Sequence, residues 1–181
     1  MKKIIVFIIV MVAISISAVL VWGNYFILTK PLHEVIAADS RNEGVEVRAR
    51  YGDYYKSSIL VFDLKNVSAT NSSADVFRVF LKYAEKMKEK DFDSVLLSFK
   101  GNPKFQLKGD YFKKLGVEFE AQNPVYTIRT FPENVYTVDG SKAFGTWTGG
   151  LLGVLGKQMD DFNAFHQQWY RDEVVTELQE K

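Results

Sequence analysis

The chain has 181 residues, 23 basic and 22 acidic side chains, a formal net charge of +1 and no cysteine. The missing cysteine excludes disulfides, thiolate metal sites, a Cys nucleophile and a lipoprotein anchor on this chain, and the near-neutral charge argues against a nucleic-acid partner. Fourteen Phe, nine Tyr and three Trp must therefore hold the fold together by packing.

Met1-Lys2-Lys3 precedes an uncharged run from Ile4 to Trp22 in which thirteen residues are Ile, Val, Leu or Phe. As a helix at 1.5 Å per residue it reaches roughly 28 Å, close to the hydrocarbon thickness of a bilayer. The spacing predicts one transmembrane signal-anchor helix over residues 1–23. Lys2 and Lys3 lie before the run and the next cation is Lys30, so the positive-inside rule places the N-terminus in the cytoplasm and the body outside it. Trp22, Tyr25 and Phe26 are expected to contact the membrane as an interfacial collar. A cleaved signal peptide is the competing reading, with small residues Ser15 and Ser17 or Val21 and Gly23 at the processing site and a secreted or periplasmic body as the product.

Residues 24–44 are expected as a connector with a short helix starting at Pro31, and 45–181 as a single α+β domain. Val45, Val47, Ala49 and Tyr51 alternate with Glu46, Arg48 and Arg50, the period of a strand with one wet face. Gly52-Asp53 is expected as a hairpin turn, with a return strand over 54–64. Asn71, Ser72 and Ser73 offer N-caps and Asp75 favours the N-terminus of a helix over 73–90 that carries Phe77, Phe80, Leu81, Ala84 and Met87. A strand over 93–100 completes a strand-helix-strand unit, followed by a turn at Gly101-Asn102-Pro103, a short strand at 105–108 and a helix from Asp110 through Phe119. Asn123-Pro124 ends that helix, and the segments 125–131, 135–138 and 142–148 alternate as a three-stranded meander. Leu155, Met159, Phe162, Phe165 and Trp169 mark one face of a last helix over 150–177. The fold class expected is α+β: a mixed or mostly antiparallel sheet of about five to seven strands with two or three packed helices, behind the transmembrane helix.

Motifs of catalysis fail on spacing. His33-Glu34 lacks a second His four residues on, where Ala37 stands. Thr148 to Lys157 imitates a phosphate loop, yet Leu151 stands where its first glycine must be and Gln158 replaces the Ser or Thr. The set contains no metal site and no cofactor fingerprint. Gly150, Gly153 and Gly156 recur every third residue, which predicts close backbone packing of the last helix; the sharper alternative is a membrane or partner contact through Leu151 and Leu152. Lys82, Lys86 and Lys90 interleave with Glu85 and Glu89, a solvated mixed-charge face. Asp63 interrupts an apolar strand near the sheet edge where open sheets bind ligands. With Asn66, Ser68, Lys100 and Asn102 it forms a candidate ligand site, Asp63 being the one catalytic candidate; the plainer reading is a strand-end carboxylate held by a loop amide or a neighbouring Lys.

The sequence thus reads as a single-pass membrane protein whose extracytoplasmic domain binds or assembles with something, for instance as an accessory to an envelope complex. A membrane-tethered hydrolase or small-ligand sensor built around Asp63 is the alternative. The expected partners are the membrane and a membrane protein.

Overall fold

The computed structural model describes residues 3–4, 7–12, 22–53 and 56–179. Its centre is a five-stranded mixed sheet in the order β1-β2-β3-β4-β5: Val45–Asp53, Lys56–Val67, Ser94–Phe99, Asn102–Lys108 and Tyr136–Thr137. β1 and β2 form the expected antiparallel hairpin, β2 and β3 run parallel, and β4 and β5 return antiparallel. Among the described residues after Asn24, six α-helices accompany it: α1 (Lys30–Ala37), α2 (Ser73–Lys86), α3 (Gly109–Glu118), α4 (Pro124–Thr130), α5 (Leu151–His166) and α6 (Asp172–Gln179). The α2 crossover joins the parallel pair, so the strand-helix-strand unit stands.

Strand alternation sorts the side chains into two faces. Leu60, Phe62, Leu64, Val95, Leu97 and Phe99 are buried on one face, with Phe77, Phe80 and Tyr83 of α2 above them. Phe62 meets Phe80 edge-on at 5.2 Å, Phe77 meets Phe131 at 4.8 Å and Phe131 meets Phe165 at 5.0 Å, so the rings interlock from sheet to last helix. The indole of Trp169 donates to the Ser98 carbonyl at 3.1 Å, fastening that helix to β3. Two glycines carry the closest helix contacts: a Cβ at Gly109 would strike the Phe92 carbonyl, and one at Gly116 the Ala84 carbonyl. Those positions require glycine, and the sequence pattern did not single them out.

Several expectations change. The meander over 125–148 is not formed. Asn123 accepts from the Val125 amide at 2.9 Å and Pro124 opens the helix, so the pair expected to end a helix starts α4 instead. β-Branched Val125, Thr127, Ile128 and Thr130 suggested a strand, but the N-cap and the Pro at the first turn outweigh that preference. Of 142–148, only Lys142 bridges to the sheet, opposite Tyr136. β1 continues through Gly52 and Asp53, and Asp53 pairs with Lys56, so the connection falls at residues 54–55, outside the described residues.

The last helix is broken by a π-helical turn, Gln167–Arg171, between α5 and α6. That wider turn shifts the phase and brings both Trp169 and Tyr170 into the core beside Phe162 and Phe165, while Leu155 and Met159 are only half-buried.

The stretch expected as a connector packs into the body. A π-helical turn, Tyr25–Thr29, leads directly into α1, and Leu28 and Leu32 are 0 % exposed in the core. Tyr83 donates its hydroxyl to the Leu28 carbonyl at 3.2 Å. Asn24 Oδ1 accepts from the Tyr51 amide at 3.3 Å and Thr29 Oγ1 donates to the Ala49 carbonyl at 3.4 Å, so this helix covers the outer edge of β1 and runs antiparallel beside it. Residues 5, 6 and 13–21 of the apolar run lie outside the described residues. Among the described residues no helix is long and apolar enough to cross a membrane.

Candidate functional site

β1 begins and β2 ends at the same edge of the sheet, where Val45 pairs with Val67, and α2 starts just beyond. A cleft of about 620 Å³ opens there, lined by Ser40, Arg41, Gly44, Ser68, Thr70, Asn71 and Asp75 among others. Its floor depends on Gly44, whose φ of +86° suits glycine and where a Cβ would lie 2.6 Å from both Asn71 Oδ1 and Ser68 Cβ. The Ser68 amide donates to the Gly44 carbonyl at 2.9 Å and Asn71 Nδ2 donates to the Arg41 carbonyl at 3.2 Å, tying the two walls together.

The charges around this cleft are mostly paired with one another. Arg41 grips Asp39 through Nε (3.1 Å) and Nη2 (2.7 Å), and those hydrogen bonds hold the Asp39 carboxyl well below the usual range. Asp75 accepts from the Ser72 hydroxyl (2.7 Å) and amide (2.8 Å) in a capping box and from Arg78 at 2.8 Å; the Ser72 hydroxyl leads in pushing its carboxyl down. Arg78 also donates to Asn42 Oδ1 at 3.0 Å, and fully buried Asn42 donates to the Val35 carbonyl at 2.9 Å, which roots the network in the core. Asn71 Oδ1 has no hydrogen-bond partner. The groups left to meet a visitor are the hydroxyls of Ser40, Ser68 and Thr70 and the outer side of the Arg41 guanidinium; the Asn71 amide is buried at Oδ1 and engaged with the Arg41 carbonyl at Nδ2. Such a set suits reversible recognition of a polar molecule.

Asp63 is 1 % exposed. Its Oδ1 accepts from the Gly101 amide at 2.9 Å and its Oδ2 pairs with Lys65 at 2.5 Å. The turn it clamps has positive φ at both Lys100 (+51°) and Gly101 (+89°), the form of a tight hairpin between β3 and β4. A non-glycine residue in that region costs on the order of 1 kcal/mol, and the carboxylate helps to offset it. The other residues grouped with Asp63 are held separately: Asn66 donates to Glu46, Lys100 pairs with Glu177 of α6, Asn102 lies opposite Phe99 in the β3–β4 register, and Ser68 belongs to the cleft with its hydroxyl 3.0 Å from that of Thr70. Arg41, Gly44, Asn71 and Asp75 were missing from the expected site. The polar stretch 39–44 and the Asn71-Ser72-Asp75 cap are both visible in the sequence; what joins them is the β1–β2 register.

The remaining candidates fall elsewhere. His33 is exposed on α1 and meets the Tyr25 ring at 6.5 Å. His166 is 0 % exposed among Phe77, Phe162, Phe165, Trp169 and Tyr170, neither ring nitrogen has a partner, and burial pushes its imidazole down to about 3. Among the described residues no group of three or more His, Asp or Glu is placed to hold a metal. Gly150, Gly153 and Gly156 have no neighbour within 4 Å of a built Cβ, so close packing is not the reason for their spacing. The side chains of Leu151 and Leu152 lie outside the described residues. Trp22, Tyr25 and Phe26 are 64 %, 45 % and 51 % exposed; Phe26 meets Trp22 at a tilt at 5.8 Å and Tyr25 edge-on at 5.4 Å.

No protein-family model matches the sequence, and no curated protein or solved structure matches it.

Proposed function

We propose that this chain is a single-pass membrane protein whose extracytoplasmic α+β body is a binding module, presenting the Gly44 cleft to a partner away from the bilayer. The observation that carries this reading is the polarity of the body. The helix emerging from the apolar run docks at the Tyr51 end of β1, whereas the cleft opens at the Gly44 end. Seven residues of strand separate them, about 23 Å at 3.3 Å per residue. A stem that is buried at Leu28 and Leu32 fixes the body relative to the anchor, so the tether sets orientation as well as address. The exposed rings of Trp22, Tyr25 and Phe26 then sit where the stem leaves the headgroup layer.

The test is site-specific photocrosslinking in native membranes from Thr70, in the cleft, and from Lys90, exposed just beyond α2. The expected result is a discrete adduct from Thr70 alone, with the chain retained in the membrane pellet after alkaline extraction. Adducts of equal yield from both positions, or release of a shortened body by alkali, overturn the proposal.

A further inference from the structure

The side of the sheet away from the aromatic core forms a second surface. Cross-strand partners share a face, and the register runs one row across the whole sheet: Arg50, Val61, Leu96, Gln106, Tyr136 and Lys142 are successive neighbours. At roughly 4.8 Å per strand the row is about 24 Å wide. Adjacent rows place Arg48 opposite Asp63 and Lys108 opposite Ser94. Ile59 and Leu96 are half-buried and Val61 is buried beneath its charged neighbours' rows, yet none of the three belongs to the core cluster that the helices close.

Charge on this face is one-sided. Arg48, Arg50, Lys65, Lys108 and Lys142 stand against Glu46 and Asp63, in a chain whose formal net charge is +1. Both carboxylates are engaged, Asp63 by Lys65 and the Gly101 amide and Glu46 by Asn66. Arg48 is exposed and makes no ion pair among the described residues. Lys142 and Lys108 lie 4.5 and 5.5 Å from the centre of the Tyr136 ring; the Lys142 hydrogen bond and both ammonium charges push that phenol below its ordinary value.

We infer that this face docks an acidic protein surface standing beside it in the plane of the membrane. Charge complementarity selects the acidic partner. The direction of the face selects protein over lipid: the stem from Asn24 to Thr29 runs beside β1, so the cationic face of the strands flanks the stem rather than capping it. This second step rests on the tethered reading proposed above.

The probe is labelled polyglutamate, titrated by fluorescence anisotropy against the full chain in nanodiscs of neutral phosphatidylcholine, with phosphatidylglycerol vesicles as the competing surface. The expected result is salt-sensitive polyglutamate binding, weakened about tenfold or more by R48E/R50E and again by K108E, and unchanged by K86E/K90E at the end of α2. No binding, equal binding by R48E/R50E, an equal loss from K86E/K90E, or preference for the anionic vesicles overturns it. Polyglutamate binding does not require the anchor, so its failure is distinct from release by alkaline extraction, which tests the tether.

Discussion

On one face of the sheet Leu60, Phe62 and Leu64 are 0 % exposed beneath aromatic helices; on the other, Val61 and Asp63 share rows with Arg50 and Arg48, and Lys65 pairs with Asp63. The same strands thus carry a face that stabilises and a face for which we propose recognition, and substitutions on the two should differ sharply in their effect. The contrast can be broken from either side.

The largest effect belongs to His166. Its imidazole is neutral in the fold, with burial pushing it from 6.5 to about 3, while the unfolded chain takes up a proton below about 6.5. The His166 contribution is therefore flat above 6.5 and falls as the pH drops toward 3, by several kcal/mol at roughly 1.4 kcal/mol per pH unit. Urea unfolding of the detergent-solubilised chain at pH 7 and pH 4 should show this slope, and H166F should lose it. Next, Trp169→Ala removes a fully buried indole and its bond to Ser98, and should cost about 3–5 kcal/mol in the same assay. Asp63→Ala breaks the turn clamp and strands the Gly101 amide, for about 1–3 kcal/mol; a loss as large as that of Trp169→Ala would erase the distinction between faces.

Smaller effects test the exposed helix start. Gly153→Ala and Gly156→Ala should each stabilise by up to about 1 kcal/mol, since a Cβ meets nothing there. Destabilisation would mean those glycines touch something in the folded protein after all. Arg48→Ala should change stability by less than about 0.5 kcal/mol, leaving any lost binding attributable to the surface itself.

Much of this was legible from local pattern. Alternation at 45–51 named the dry and wet faces of β1, and the spacing of Phe77, Phe80 and Ala84 named the core face of α2. Asp63 was readable as a clamped carboxylate because an acid inside an apolar strand needs partners, and a loop amide and Lys65 stand within reach. Three things were not legible. Asn123-Pro124 has the same signature whether it ends one helix or starts the next. A π turn has no periodic signal, so Tyr170 was missed while Trp169 was found. Register joins residues that are far apart in sequence, so neither the cleft around Gly44 nor the row from Arg50 to Lys142 follows from alternation, which gives faces but not neighbours.

The proposed tether and outward-facing body can be measured directly, because the chain contains no cysteine. Thr70→Cys gives the chain a single thiol at the cleft, to be labelled in intact cells with a membrane-impermeant maleimide and followed in the alkali-resistant membrane pellet. Labelling of pelleted full-length chain without permeabilisation is the expected result; labelling only after the cells are opened, or a shortened labelled body in the supernatant, would contradict it.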